Sequence, residues 1–503
     1  MKTEGNMFFN DNLYLRRQFI LGPNYIEKLS KWGKKRISDN LFLTVHPDLK
    51  LNCISNNNIS LTLLGFMFDY HNPDYSNSDI LRELISSSNT FKDIIRGTYS
   101  VGGRWILIYK NNKCIKMFHD LMGSRQIFYC KNDAEIWCAS QPHTIAGELN
   151  LQKSKNTYIN DYFKKNMFIG GEASWPGDGT IYDDIKHLLP NHYLDLINGL
   201  SIRYWPDKKL DNLSLSSAVS LGSEILKGIM KSANNRYNLI QAVSAGWDSR
   251  VLLSASREER DDIFYYIQKF SKLTNKSTDI KIPIKLFSKL GIRFNVIECD
   301  NEIEKKLEFF LKKNINILHN NSKKVLYNNF YKNFQGKLNI SGYAGEIGRR
   351  RYRAKGLITA EKLAGIFAQK GSKFAIKEFK KWLNETQDIA NKFEINLLDL
   401  FYWEQKMGNW GAMFPAELDI AIEEFYPFNQ RKLIETLLSV DEKYRKYFNP
   451  ILYKELIKNM WPEVLKVPIN PGVKTKKIIK ITLKKIYCYH LVKYLYKLLN
   501  LNK

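Results

Sequence analysis

An apolar run, Leu239-Ile240-Gln241-Ala242-Val243, passes without a spacer into Ser244-Ala245-Gly246-Trp247-Asp248-Ser249, and a helical pattern follows over residues 250–258. Strand patterns at 263–268 and 293–297 then alternate with a helical pattern at 280–290, and 214–230 has helical spacing ahead of the first strand. Strand, helix, strand, helix predicts a parallel sheet with right-handed crossovers. In such a sheet the loop at the carboxyl end of a strand is where ligands bind, which directs attention to residues 244–249.

The first 140 residues have another texture. Strand patterns at 59–68, 104–109 and 114–119, a short helix at 80–85, and a hairpin of 126–130 with 136–139 turning at Asn132-Asp133 predict an α+β region rich in antiparallel sheet. Residues 185–205, with turns at Pro190-Asn191-His192 and Asn198-Gly199, read as a closing hairpin. Another strand ends at Ile340, and 356–460 reads as mostly helical. The expected division is 1–207, 208–472 and a tail, 473–503.

Composition narrows the partners. Lys and Arg number 77 against 51 acids, a formal charge of +26, but the chain is also crowded with Asn and Ile, and such a bias raises charge with no ligand involved. No nucleic acid is expected. The six cysteines (Cys53, Cys114, Cys130, Cys138, Cys299, Cys488) lack Cys-x-x-Cys or zinc-finger spacing and read as reduced thiols of a cytoplasmic protein. No signal-peptide pattern opens the sequence, and no run of about 18 apolar residues suggests a membrane span. Residues 474–503 hold nine lysines and no acid among Ile, Leu and Tyr, a basic amphipathic pattern suited to an anionic membrane surface, a protein partner or docking on the protein itself.

Two hydroxyls (Ser244, Ser249), Gly246 and the N–H groups of a helix start make a cradle for phosphate, and the absence of Gly-Lys-Ser/Thr separates it from a Walker loop. Asp248 beside phosphate calls for a bridging cation, magnesium being the one that takes carboxylate plus phosphate oxygens; its other reading is a helix cap, shared with Ser249.

The loop resembles the Ser-Gly-Gly-x-Asp-Ser pyrophosphate loop of N-type ATP pyrophosphatases, and its surroundings resemble the asparagine synthetase family. Leu64-Gly65, Asp69, Gly102-Gly103-Arg104-Trp105 and Asp120 through Tyr129 are similar to that family's glutaminase-type domain; 185–193 and Arg203-Tyr204-Trp205 to its closing strands; Tyr426-Pro427-Phe428-Asn429 to its Pro-Phe-Leu-Asp helix start. The resemblance implies a glutaminase-like antiparallel β-sandwich of N-terminal-nucleophile type, followed by a parallel-sheet ATP pyrophosphatase domain. The implied chemistry is ATP- and Mg2+-dependent adenylation of a small-molecule, glycan or peptide carboxylate, followed by attack of an amine or ammonia. ATP and pyrophosphate would be held by Ser244, Ala245, Gly246, Asp248, Ser249 and Gly342.

Departures matter as much. Ala245 stands where the family has a second Gly, and an alanine at positive φ costs about 1–2 kcal/mol, which would reshape the loop. Met1-Lys2 offers no cysteine as processed first residue, so no glutamine hydrolysis is expected, as in β-lactam synthetases and lasso-peptide cyclases; nitrogen would come from free ammonia, a partner's ammonia or an amine on the substrate. In Ser341-Gly342-Tyr343-Ala344-Gly345-Glu346, similar to Ser-Gly-x-Gly-x-Asp-Glu, Glu346 replaces the metal-binding Asp and would ligate the metal with Asp248, while Tyr343 stands where β-lactam synthetases have tyrosine. The basic run 349–353 would neutralise pyrophosphate or an anionic substrate, or simply be solvated. Leu397, Phe401, Glu404, Gly408 and Gly411 fall on one helical stripe, so Glu404 is expected to face inward with a raised pKa and pair with Tyr343 as base; a structural Glu paired to Arg or Lys is the other reading. The family's Pro-Lys stretch corresponds to Lys466-Val467-Pro468, where Lys466 or Lys474 would substitute. Ala245 and the missing Cys and Pro-Lys also leave open a nucleotide-binding or scaffold relative without catalysis; a tRNA-modifying pyrophosphatase would share only the first loop.

Overall fold

A computed structural model of the chain describes residues 11–133, 135–166, 174–270, 273–300, 302–318 and 323–471. The basic tail 473–503, with Lys474 and Cys488, lies outside them.

The N-terminal half is two six-stranded antiparallel sheets packed face to face. One runs, in spatial order, Lys186–His187, Phe128–Asn132, Glu135–Ala139, Phe19–Gly22, Leu41–Val45, Gly33–Ser38; the other runs Leu200–Arg203, His192–Asp195, Ile115–His119, Val101–Lys110, Ser60–Asp69, Leu51–Ser55. Alternate residues face inward: Phe19, Leu21, Leu43 and Val45 from the first sheet meet Leu64, Ile106, Ile108 and Met117 from the second. The four strands between residues 19 and 55 were not anticipated. Gly33–Ser38 has one fully buried residue in six, so the hydrophobic alternation that would announce it is missing.

The C-terminal half holds a five-stranded parallel sheet of β1 (Leu239–Ala242), β2 (Phe264–Lys269), β3 (Asn295–Glu298), β4 (Leu338–Ile340) and β5 (Glu423–Phe425), ordered β3-β2-β1-β4-β5. Leu239 and Tyr265 join the core beneath Val251 and Leu252; Ile240 and Tyr266 face Leu307, Phe310 and Tyr327 on the other side. Both faces are covered at β1, so its successive residues Leu239 and Ile240 are both apolar although they enter opposite cores. The expected mixture of antiparallel and parallel sheets is therefore present. The three residues of β5, inside the stretch expected to be helical, are too few to carry a period-2 signal.

One hydrophobic core runs from Leu15 to Val467 across both halves, and buried charges stitch the same boundary. Arg104 donates through both terminal nitrogens to Asp419 (2.6 and 2.7 Å), Arg125 donates to Glu423 (2.6 Å), and Arg17 donates to the Asp419 carbonyl. Gly65, at φ +104°, makes room: a Cβ there would fall 2.9 Å from Arg125 Nε. Asn429 completes the stitching by accepting from Met122 N and donating to Gly103 O and Asp120 Oδ1. Five cysteines are described, none in a disulfide; Cys130 and Cys138 are buried. Among the described residues no helix is long and apolar enough to cross a membrane.

Asp419→Ala leaves the Arg104 guanidinium buried without its carboxylate and should cost about 3–5 kcal/mol. Arg104→Met/Asp419→Leu, which removes both charges, should recover most of that loss in urea unfolding.

Candidate functional site

β1 and β4 are neighbours from which the sheet is built outward in opposite directions, and their carboxyl-end loops therefore diverge around a crevice. The crevice encloses about 350 Å³, and Ser244, Gly246, Asp248, Ser249, Gly342, Tyr343 and Glu346 line it. So do Ile267, Met407 and Trp410, which sequence reasoning did not select.

The 244–249 loop is folded upon itself. Ser249 Oγ accepts from Ser244 N and Ser244 Oγ from Gly246 N, both at 3.2 Å, while Ala245 N donates to Asp279 Oδ1 at 3.1 Å. The helix begins at Trp247, three residues earlier than its periodicity predicts, with Gly246 at the cap position and no side-chain cap bond. Neither Asp248 nor Ser249 is that cap. Ala245 lines no part of the crevice and has no positive φ; the strain expected of it falls on Ala344, at φ 68° in the second loop, worth about 1–2 kcal/mol. Gly342 and Gly345 are glycines because Asp248 lies against them: a Cβ on either would come within 2.7 Å of its side chain.

The two expected metal ligands are together, and a guanidinium holds them. Arg349 Nη2 donates to Asp248 Oδ2 at 2.5 Å and to Glu346 Oε1 at 3.4 Å. Tyr402 Oη donates to the other Glu346 oxygen, and Tyr447 Oη to Oε1 at 2.8 Å. Asp248 Oδ1 is buried without a hydrogen bond. Burial, opposed by Arg349 and reinforced by Glu346, pushes the Asp248 carboxyl up to about 6; burial acts on Glu346 too, but Arg349 and Tyr402 outweigh it and hold its pKa below the ordinary value. Among the described residues no three His, Cys, Asp or Glu gather to hold a metal ion. As they stand, Asp248 and Glu346 do not fit magnesium: Arg349 holds one oxygen of each and Tyr402 the other oxygen of Glu346, which leaves Asp248 Oδ1 as the one carboxylate oxygen without a partner.

Glu404 is not at the crevice. It faces inward as expected, but Arg203 grips both its oxygens, and Asn191 (2.9 Å) and Trp382 (2.7 Å) donate to the same carboxylate. Arg203 overcomes burial and lowers its pKa, opposite to the expected rise. With its lone pairs taken up by four donors, it has no capacity to act as a base and does not meet Tyr343. Tyr343 is half-buried in the crevice, stacked on Phe414 at 5.3 Å and near Trp410 and Tyr426. The chain there departs from the predicted α-helix: residues Tyr402–Gly411 form a π-helix, so Met407 and Trp410 reach the crevice while Glu404, Gln405 and Asn409 serve the N-terminal half.

The 464–470 stretch does reach the first loop. Buried Arg250 donates to the carbonyls of Val464, Val467 and Pro468, and Asn470 N donates to Ala245 O at 2.9 Å. Lys466 itself is exposed. Within the basic run, Arg349 is buried, whereas Arg351 and Arg353 are exposed.

Behind the second loop, Tyr266 Oη donates to Asn339 Oδ1 (2.6 Å), Asn339 Nδ2 to Glu424 Oε2 (2.5 Å) and Ser341 Oγ to Glu424 Oε1 (2.6 Å). Burial raises the Glu424 carboxyl to about 7 against these donors.

No family model and no curated protein matches the chain. Among solved structures it is similar to a glutamine phosphoribosylpyrophosphate amidotransferase from B. subtilis (9% identity over 60% of this chain and 64% of that one, TM-score 0.22). An NH3-dependent NAD synthetase from Campylobacter jejuni is 13% identical over 38% and 92% of the two chains, TM-score 0.21. A glutamine-dependent NAD+ synthetase from Acinetobacter baumannii is 10% identical over 48% and 53%, TM-score 0.18. This chain thus spans less than two thirds of the length of the first, and likenesses this slight decide neither fold nor activity.

Glu424 binds its proton more tightly in the folded state than in the unfolded chain, where a glutamate titrates near 4.5. Folding stability should therefore fall as pH rises from 4.5 to 7, by about 2 kcal/mol between pH 5.5 and 7.5 from this group. Urea unfolding of Glu424→Gln at the two pH values should lack that part of the slope.

Proposed function

We propose that this protein is an ATP-dependent ligase that activates a carboxylate as its adenylate and transfers the acyl group to an amine or ammonia. One observation carries the reading: two glycine-containing loops, 244–249 and 341–346, converge on one crevice at the point where the sheet order reverses. The N-terminal sandwich and the order of the resembling motifs support the same reading.

In it, the substrate carboxylate oxygen attacks the α-phosphorus of ATP, the bond to the β-phosphate oxygen breaks, and pyrophosphate leaves. The amine then attacks the acyl carbon, AMP departs and the amine nitrogen loses a proton. Ser244, Gly246 and Ser249 border the polar end of the crevice, where the phosphates would lie. Ile267, Tyr343, Met407 and Trp410 add apolar lining, which would help keep water from the adenylate. Tyr343 stands where the attacking amine would pass. Glu404 has no part in the reaction, and no step is assigned to magnesium at Asp248 and Glu346. Positioning and hydrogen bonding would supply most of the acceleration.

A second reading, nucleotide binding without turnover, is favoured by one observation: Arg349 occupies both carboxylates that the resemblance assigns to metal.

Calorimetric titration of α,β-methylene ATP should give a 1:1 site in the wild type. Ser244→Asp, which sets a carboxylate where phosphate would lie, should weaken it at least about tenfold. Pyrophosphate release from ATP on adding a panel of carboxylic acids with an amine then separates the readings: release with one acid class supports the ligase, and binding without release for any acid supports the second.

A further inference from the structure

We propose that Arg349, buried behind the crevice wall and paired with its lining carboxylates Asp248 and Glu346, stands in place of a divalent metal ion, so that a nucleotide's polyphosphate binds here without one. The nucleotide half of this statement rests on the reading given under Proposed function; the placement of Arg349 does not.

The guanidinium is built in. Its side chain is 4% exposed. Nη2 serves Asp248 and Glu346, Nη1 donates to the Tyr447 carbonyl at 3.3 Å, and its carbon lies 4.8 Å from the Tyr447 ring and 5.6 Å from that of Tyr453. Withdrawing it would expose two carboxylates to each other and forfeit both ring contacts. A magnesium ion demands close octahedral oxygen ligation and keeps several waters, so it cannot share oxygens that a guanidinium already holds at hydrogen-bond distance. The remaining oxygens are no better placed. Tyr402 and Tyr447 donate to Glu346, and Asp248 Oδ1, buried and without a hydrogen bond, is a single oxygen where octahedral ligation needs several.

Charge bookkeeping points the same way. Two carboxylates against one guanidinium leave a single negative charge, and Arg351, whose guanidinium carbon lies 4.0 Å from the Tyr447 ring, offsets it from the exposed side. A phosphate arriving at Ser244 and Ser249 therefore meets a nearly neutral wall. The repulsion that motivated a bridging metal in the first place is cancelled by residues of the chain. Arginine suits this task because its charge survives burial and its planar fork engages two acceptors at once.

The test has two arms. In the first, Mn2+ without nucleotide is titrated and followed by electron paramagnetic resonance, using the wild type, Arg349→Met and the charge-matched Arg349→Met/Asp248→Asn, which guards against misfolding of the single variant. The wild type should take up no Mn2+ at this site. Arg349→Met should bind it at least about tenfold more tightly than the wild type, the double variant falling between. In the second arm, α,β-methylene ATP is titrated in EDTA and in Mg2+. Wild-type affinity should change less than about twofold between the two, whereas Arg349→Met should lose about tenfold in EDTA and regain most of it in Mg2+. A stoichiometric Mn2+ site in the wild type that Asp248→Asn abolishes overturns the proposal, as does wild-type nucleotide binding that requires Mg2+. If the wild type excludes Mn2+ but binds no analogue in either buffer, the nucleotide reading fails and the place of Arg349 in lieu of a metal stands.

Discussion

The bidentate pair of Arg104 and Asp419 fixes the relation between the sandwich and the parallel sheet. Both side chains are buried, and each belongs to a different half of the chain. Arg104 lies in the central strand Val101–Lys110; Asp419 and the adjoining Glu423 lead directly into β5, which borders β4. The position of β5, and through Glu424 that of Ser341 and the second loop, is thus set by arginines of the sandwich. Buried ion pairs of this kind contribute little net stability against apolar replacements, but they tolerate no shift in register, because any displacement strands a charge. The sandwich is part of the crevice's support, whatever chemistry it carries.

A second connection runs through the π-helix Tyr402–Gly411. One side of it bonds to the N-terminal half: Glu404 to Arg203 and Asn191, Gln405 to Gly177 N, Asn409 to His187. Its other side supplies Tyr402 to Glu346 and Met407 and Trp410 to the crevice wall. Gly408 is required by close approach, since a Cβ there would meet the Pro190 ring at 2.5 Å. The wide turn lets one ten-residue segment satisfy both sides, and it explains why an α-helical stripe correctly finds Glu404 buried and wrongly gives it to the active crevice.

Legibility followed the range of the physical signal. β1, its loop and the alternating helices were readable because hydrophobic runs and turn residues are local. Loops 244–249 and 341–346 were singled out from sequence and do meet in space. The strands between 19 and 55 and the three-residue β5 were not readable, since short or polar strands are defined by what they pair with. Asp279 could not have been found either: its bond to Ala245 N joins residues 34 apart in sequence and depends on the first turn of the helix Thr278–Leu290 meeting the 244–249 loop. Arg349 had a weak local signal, three residues after Glu346 at the head of a basic run. Nothing local distinguishes it from exposed Arg351, which also lies against Tyr447; the pairing with Asp248 and the contact with Tyr453 do so.

The placements of Glu404 and Arg349 together alter what the crevice can do. The proposed reaction needs one negative group to take a proton and one positive group to quiet the phosphates. Here the buried carboxylate that would have taken the proton is saturated by Arg203, and the positive group is covalently part of the chain. Of the charged groups in this cluster, Asp248 and Glu346 line the crevice and Arg349 is buried behind them. Ile267, Tyr343, Met407 and Trp410 add apolar contact area to the lining, and the Lys406 ammonium, 3.8 Å from the centre of the Trp410 ring, brings a positive charge to that ring.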